Sequence, residues 1–103
     1  RRLVDQIHAL DVAASMQLGH AGPVGIGTGG RGLSASKVLA KQRMKKTHAA
    51  SEDDLSKVVQ DFVSATMLAA DAGFDCIELH FGHGYLVNNL SNSFNYPFQR
   101  FLP

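Results

Sequence analysis

The stretch that decides the fold is Phe74 to Tyr85, which reads Phe-Asp-Cys-Ile-Glu-Leu-His-Phe-Gly-His-Gly-Tyr. It opens with a mostly apolar run directly after a helix-ending glycine, which predicts a β-strand over residues 74–80. Side chains alternate between the two faces of a strand, so Glu78 and His80 share one face. A strand built only for packing would carry valine or leucine at these positions, so the polar pair indicates a site.

Glycines free the backbone immediately after this strand. Gly82 and Gly84 flank His83, and Tyr85 follows. Because glycine adopts conformations that other residues avoid, the chain can turn back over the end of the strand there. In α/β folds the chemical groups gather at the C-terminal ends of parallel strands. The pattern therefore favours a functional site that contains His80, His83 and Tyr85.

The strand follows the clearest helix signal in the chain, at residues 51–72. Ser51 is a favourable N-cap, and three acidic residues in the first turn complement the helix dipole. Gly73 is the expected C-cap. Apolar residues recur at helical spacing and predict one apolar stripe, which consists of Leu55, Val58, Val59, Phe62 and Val63 and is extended by Thr66, Ala69 and Ala70.

Another strand is predicted earlier in the chain, at residues 12–18. One of its faces carries Ala13, Ser15 and Gln17, so it is small at first and then polar. The Gln17 amide can both donate and accept hydrogen bonds, as the floor of a ligand site requires. The alternative interpretation is that Gln17 only satisfies backbone groups of the glycine-rich loop at residues 19–32.

The other segments complete a repeating order of elements. Residues 1–11 have the apolar spacing of a helix end, and residues 86–89 have the pattern of a helical turn. Ser34 is a candidate N-cap for a short helix, which would contain Val38, Leu39 and Met44. Helix, strand, loop, helix and strand make two turns of a βα repeat with parallel neighbours. A (β/α)₈ barrel and an open α/β sheet both fit this order.

Composition narrows the class of protein. The 103 residues are 45% hydrophobic and 18% charged, which is typical of a folded globular chain. A net charge of +1 argues against nucleic acid or an anionic membrane as partner, and no apolar run approaches the ~20 residues of a membrane span.

Cys76 is the single cysteine, so no internal disulfide is possible, and we expect it to be a small buried hydrophobe. We expect a cytoplasmic protein.

The chain begins at Arg1 in the middle of a helical pattern, and we expect it to be a piece of a longer polypeptide. Below, "the intact protein" means the natural polypeptide that carries this chain. A (β/α)₈ barrel needs about 250 residues, so we expect residues 1–103 alone to be marginally stable and to associate. The sequence carries no signal for the oligomeric state.

Three runs of sequence together resemble the Old Yellow Enzyme family of FMN-dependent NAD(P)H:flavin oxidoreductases and ene-reductases. The first is Gln-Leu-Gly-His-Ala-Gly at residues 17–22, the second starts Ser-Glu-Asp-Asp-Leu within residues 51–63, and the third spans residues 72–88. The Glu-x-His-x-x-His-Gly-Tyr pattern at residues 78–85 is the most specific part. Order and spacing are similar to the third strand, third helix and fourth strand of the family's barrel.

The resemblance implies an α/β fold, a partial (β/α)₈ TIM barrel that covers about two βα units. Residues 1–103 would be a fragment of a single TIM-barrel flavin oxidoreductase domain, with residues 92–103 as a divergent or irregular tail. It further implies FMN as cofactor, NAD(P)H as reductant and a small-molecule substrate, an activated alkene or related acceptor.

The resemblance also implies roles for four residues. Gln17 would bind the pyrimidine edge of FMN, His80 and His83 would bind the substrate oxygen, and Tyr85 would donate the proton. The residue types suit these roles. Two imidazole N–H groups can stabilise negative charge that grows on a carbonyl oxygen. A phenol can act as a general acid toward carbon.

Two other classes of function stay open at this stage. One is a metal-dependent TIM-barrel hydrolase with His20, His80 and His83 as ligands. Against it, no second acidic residue accompanies Glu78, and Tyr85 has no role. The other is a non-catalytic fragment that retains the motif but binds no cofactor.

Overall fold

The computed structural model describes residues 1–26, 31–37, 39–40 and 45–91. The chain divides into two compact units. The first unit consists of Arg1–Leu18 and Leu55–His80, and the second consists of the described residues within Gly19–Asp54 and Phe81–Pro103. The predicted tail at residues 92–103 lies outside the described residues.

The parallel strand pair is the centre of the first unit. Strand β1, Ser15–Leu18, pairs in parallel with strand β6, Cys76–Leu79. Backbone hydrogen bonds extend the ladder at both ends, from Asp75 N–H to the Ala14 carbonyl and from His80 N–H to the Leu18 carbonyl. The prediction that residues 12–18 and 74–80 are adjacent parallel strands is therefore confirmed, with regular strand geometry over four residues of each, Ser15–Leu18 and Cys76–Leu79.

Helix α2, Glu52–Asp71, connects the two strands along the sequence and carries its own start signal. The Ser51 hydroxyl accepts a hydrogen bond from the Asp54 amide at 3.1 Å, and the Asp54 carboxylate accepts one from the Ser51 amide at 2.9 Å. This reciprocal arrangement is a capping box with aspartate in the place usually held by glutamate. The predicted N-cap is confirmed.

The stop signal of α2 is equally local. Gly73 has φ +96°, its amide donates to the Ala70 carbonyl, and the Phe74 amide donates to the Ala69 carbonyl. These two bonds are those of a Schellman motif, in which a left-handed glycine ends the helix. The motif directs the chain straight into strand β6.

A small apolar core holds the N-terminal helix in this unit. Helix α1, Arg2–His8, buries Val4 to 1% exposure, beside Gly73. The Arg1 guanidinium donates two hydrogen bonds to the Asp71 carbonyl, at 2.9 and 3.2 Å. These bonds satisfy a carbonyl in the last turn of α2 that has no partner within its helix.

The apolar stripe predicted for α2 is only partly buried. Leu55, Val58 and Phe62 are half-buried, whereas Val59 and Val63 are exposed at 58% and 48%. Residues 59 and 63 are four apart and so form one edge of the stripe, and this edge is exposed.

Strands of two residues organise the second unit. Strand β2, Leu33–Ser34, pairs in parallel with β5, His48–Ala49, and β3, Leu39–Ala40, pairs antiparallel with β4, Lys45–Lys46. The short helix predicted from Ser34 is wrong where the chain is described, because residues 33–34 and 39–40 are strands. Val38 and Met44 lie outside the described residues.

A buried pair of hydroxyls explains this outcome. Ser34 and Thr47 are 0% and 1% exposed, and their hydroxyl oxygens are 2.6 Å apart. The Ser36 carbonyl lies within hydrogen-bond distance of both hydroxyls, so one hydroxyl can donate to this carbonyl while the other donates across the pair. The Ser34 hydroxyl thus has partners within the strand region and does not act as a helix cap.

The second unit ends with helix α3, Leu86–Ser91, in agreement with the helical turn predicted at residues 86–89. The 3₁₀ turn Gly22–Val24 precedes β2 along the chain. Within the described part of the chain, no helix combines the length and the apolarity that crossing a membrane would require.

We predict that Asp75 makes the first unit sensitive to acid. Its carboxylate accepts hydrogen bonds from the Ala14 amide at 2.8 Å and from His8 Nε2 at 2.7 Å, and these bonds hold the pKa of Asp75 below its ordinary value. A carboxyl group with a lowered folded-state pKa stabilises the fold above its unfolded-state pKa. That contribution is lost as pH falls below about 4.

Urea unfolding of the intact protein between pH 3 and pH 6 would measure this effect. Asp75→Asn should flatten the acid side of the stability curve, because asparagine does not titrate there. Asp5→Asn, on an exposed carboxylate of α1, is the matched control and should leave the curve unchanged. Equal slopes for the wild type and Asp75→Asn would contradict the prediction.

Candidate active site

Gln17 lies near the C-terminal end of β1, and its side chain is exposed. It is the register partner of Glu78 on β6, and because the strands are parallel the two side chains are on the same face of the pair. Gln17 Nε2 donates a hydrogen bond of 2.7 Å to Glu78 Oε1. Gln17 is therefore hydrogen-bonded to the neighbouring strand, and in the described part of the chain its amide makes no hydrogen bond to the glycine-rich loop.

The same face continues with Ser15 and Cys76, which are also register partners. The Cys76 side chain is exposed, so the prediction that it is a buried hydrophobe is wrong. Its position in the register explains the error, because Cys76 lies on the polar face and not on the face of Ile77. The face as a whole is small or polar along both strands.

His80 follows β6 directly. Its backbone amide donates to the Leu18 carbonyl at 2.7 Å, which continues the parallel ladder past the last strand residue. The side chain is half-buried. Within the first unit, the structure thus brings Gln17 and His80 to the C-terminal ends of two neighbouring parallel strands, as the sequence predicted.

His83 and Tyr85 belong to the second unit and lie in a tight turn. The Tyr85 amide donates to the Gly82 carbonyl at 3.2 Å, and the two central residues have φ +58° at His83 and +71° at Gly84. Positive φ at both central positions defines a type I′ turn. Gly82 and Gly84 were predicted to provide this freedom, but positive φ occurs at Gly84 and at His83, which adopts the left-handed conformation at some cost in free energy.

The chain after Tyr85 is anchored on both sides. The Asn88 side chain accepts a hydrogen bond from the Gly84 amide at 2.8 Å, and the Leu86 amide donates to the His20 carbonyl at 3.1 Å. Leu86 is completely buried. The side chain of Tyr85 is half-buried. Its backbone is fixed because it lies between the closed turn and the buried Leu86 at the start of α3.

Close packing of backbone around Gly22 completes this anchor. A Cβ atom at Gly22 would lie 2.5 Å from the Leu86 nitrogen, and Gly22 has φ +61°. Its amide donates to His20 Nδ1 at 2.9 Å. Because Nδ1 accepts, a neutral His20 carries its proton on Nε2.

The metal-site alternative requires His20, His80 and His83 as joint ligands. Among the residues that the structure describes, no three His, Cys, Asp or Glu side chains are arranged to hold one metal ion. His20, one of the three ligands considered, already uses Nδ1 for the Gly22 amide.

The residues present fit one edge of a flavin. The pyrimidine edge of FMN presents an N–H between carbonyl oxygens, and a glutamine amide offers the complementary oxygen and N–H. Gln17 gives one N–H to Glu78 and retains its carbonyl oxygen and a second N–H for a ligand. The sequence predicts that Glu78 lies on a polar strand face but does not predict its contact with Gln17, for which the shared strand face is the available signal.

Comparison with known proteins identifies the family. The chain matches the NADH:flavin oxidoreductase / NADH oxidase family over residues 1–96. It is 40% identical over 91 residues to a 4,4'-dithiodibutanoate disulfide reductase of Rhodococcus erythropolis, which covers 86% of this chain and 23% of that protein.

Two further relatives are NADPH dehydrogenases. The protein of Halalkalibacterium halodurans is 36% identical over 85 residues, covering 82% of this chain and 25% of the relative. The protein of Listeria welshimeri is 34% identical over 88 residues, covering 85% and 26%. The chain thus spans about a quarter of the length of the curated relatives that it matches. The family model covers nearly the whole chain and confirms the resemblance drawn from the motif: the chain belongs to the NADH:flavin oxidoreductase / NADH oxidase family.

Proposed function

We propose that the intact protein is an FMN-dependent oxidoreductase that takes hydride from NAD(P)H and reduces electron-poor alkenes or related acceptors. The observation that carries the proposal is the placement of Gln17 and His80 at the C-terminal ends of neighbouring parallel strands, in a chain of this family. We further propose that these strands belong to a (β/α)₈ barrel and that residues 1–103 are part of a single barrel domain.

FMN, when bound, supplies two-electron hydride chemistry that no protein side chain offers. Gln17 would hold its pyrimidine edge through the amide atoms that Glu78 leaves available. His80 and His83 would donate N–H groups to the oxygen of the substrate, where negative charge grows during reduction. Tyr85 would give its phenolic proton to the α-carbon of the alkene.

The acceptor is part of the proposal. A relative with 40% identity is named as a disulfide reductase, and that name adds organic disulfides to activated alkenes as candidates. Turnover of a simple cyclic enone and of 4,4'-dithiodibutanoate, each followed by NADPH oxidation, would distinguish the two. We place the enzyme in the cytoplasm, where NAD(P)H is available.

Absorption spectroscopy of the purified intact protein tests the proposal as a whole. We expect a flavin spectrum, and FMN in the supernatant after denaturation. A protein that contains zinc and no flavin would support the metal hydrolase instead. A protein with neither would support a non-catalytic role.

Replacing either His80 or His83 should weaken the stabilisation of negative charge on the substrate oxygen. We expect His80→Ala and His83→Ala each to slow enone reduction by roughly 10²–10³-fold, the cost of one lost charge-stabilising donor. They should also weaken the binding of phenols, as measured by titration of the flavin spectrum.

His48→Ala provides the matched control. This imidazole lies 3.1 Å from the Asp54 carboxylate, and it has no role in the proposed site. Its replacement should leave phenol binding and enone reduction at the parent values. A similar loss in all three variants, together with lowered thermal stability, would indicate that the histidines are structural.

A further inference from the structure

One polar residue of the strand pair has no role in the proposed function. Glu78 is on β6 between Ile77 and Leu79, in a strand position where glutamate is disfavoured. Its side chain is exposed on the polar face, as the register partner of Gln17. Glu78 need not contact a ligand in order to affect binding, because it contacts Gln17, the residue proposed to bind FMN.

The contact constrains the Gln17 amide. Gln17 Nε2 lies 2.7 Å from Glu78 Oε1, a distance typical of a hydrogen bond to a charged acceptor. A glutamine amide has two orientations that differ by a half-turn and exchange its oxygen and nitrogen. A carboxylate only accepts hydrogen bonds, so it favours the orientation with nitrogen toward Glu78 and disfavours the other.

We propose that Glu78 is a positioning residue that fixes the orientation of the Gln17 amide for the pyrimidine edge of FMN. The inference rests on the proposed function, because it assumes that FMN binds at Gln17. With Glu78 present, the Gln17 oxygen and second N–H face the ligand together. Without Glu78, the amide also populates the flipped orientation, in which donor and acceptor are exchanged against the flavin.

The carboxylate also has an electrostatic consequence. Two-electron reduction makes the flavin more electron-rich, and a negative charge on the adjacent strand disfavours that change. Glu78 therefore lowers the affinity for reduced FMN relative to oxidised FMN. This effect appears as a lower midpoint potential, a quantity that a purely structural role would not alter.

Two variants of the intact protein separate orientation from charge. Glu78→Leu removes the acceptor and should weaken binding of oxidised FMN to the apoprotein about tenfold, because the ligand must then order a Gln17 side chain that Glu78 had held in place before binding. Glu78→Gln can still accept from Gln17 but can also donate to the flipped amide. At least about half of the molecules should keep the productive orientation, so its affinity should stay within about threefold of the parent value. It lacks the charge, and its midpoint potential should rise by about 30 mV, a tenfold change in the affinity ratio.

A double-mutant comparison tests whether Glu78 acts through Gln17. If it does, Gln17→Ala combined with Glu78→Leu should bind FMN as Gln17→Ala alone does, because there is no amide left to orient. Cys76→Ala, two residues before Glu78 on the same face, is the control and should leave both affinity and potential unchanged.

The outcomes distinguish this inference from the proposed function. A wild-type protein that binds no FMN contradicts the proposed function. Tight binding that Glu78→Leu leaves unchanged overturns the positioning role of Glu78, as does a double mutant whose losses simply add. If Glu78→Leu fails to fold, the potential of Glu78→Gln decides, and an unchanged potential counts against the inference.

Discussion

Tyr85→Phe in the intact protein should slow alkene reduction by roughly 10²–10⁴-fold, the range typical of a lost general acid. Reduction of bound FMN by NADPH should stay nearly at the parent rate, because that half-reaction needs no proton on an alkene carbon. The substitution removes one oxygen and keeps the ring. The backbone around residue 85 should be undisturbed, since it is fixed by the Gly82 carbonyl and the buried Leu86.

Stopped-flow measurement of both half-reactions would show this selective defect. Thermal unfolding of the same variant is the necessary companion measurement, because a half-buried tyrosine also contributes to packing. If Tyr85→Phe reduces enones at the parent rate, Tyr85 has no part in the mechanism. Equal slowing of both half-reactions, with a lowered melting temperature, would indicate a structural role.

The second large effect is expected at Gly22. Gly22→Ala should destabilise the protein by about 3 kcal/mol. The left-handed conformation costs an alanine about 1–2 kcal/mol, and forcing a methyl group into packed structure costs about 1–3 kcal/mol. The new Cβ would meet the Leu86 nitrogen at 2.5 Å and its Cα at 2.8 Å, and neither backbone atom can rotate away.

Gly84→Ala is the matched control for this prediction. Gly84 also has positive φ, +71°, but a Cβ there would have no heavy atom within 4 Å. It should therefore cost only the conformational strain, about 1–2 kcal/mol. Urea unfolding of both variants gives the difference. Equal losses would show that the Gly22–Leu86 approach is not tight in solution.

The elements that the sequence predicted well are those whose start and stop signals lie within or next to the element in the chain. Helix α2 begins and ends with motifs formed by residues within five positions of each other, at Ser51 and at Gly73. The two parallel strands were recognisable because each is a short apolar run next to glycine or a helix end. Their pairing followed from the βα order and not from any residue in particular.

The segment between the glycine-rich loop and α2 could not be predicted in this way. Its strands are two residues long, too short for a period to appear. What holds them is distant in sequence: Ser34 contacts Thr47, and the Ala35 amide donates to the Asn89 side chain, 54 residues away. Neither partner can be recognised from Ser34 alone, so a helix cap was the natural but wrong interpretation.

The candidate site likewise has some features that the sequence predicts and others that it does not. Alternation along the strands placed Gln17, Glu78 and His80 on polar faces, but only the register makes Gln17 and Glu78 partners. A shift of one residue would have sent them to opposite faces. The left-handed backbone of His83 was also beyond a sequence argument, because the flanking glycines offered an easier place for positive φ.

The distance along the chain between Gln17 and Glu78, 61 residues, has a consequence for the order of folding. Closing so long a loop costs chain entropy before any strand contact repays it, which slows pairings of this kind. Helix α2 lies within that loop, and the motifs at both of its ends are formed by residues close to it in sequence. It can form early and shorten the span that the strands must close. The contact between Gln17 and Glu78 would then form after α2, so a newly made chain would have its helix before the strand pair of the proposed site.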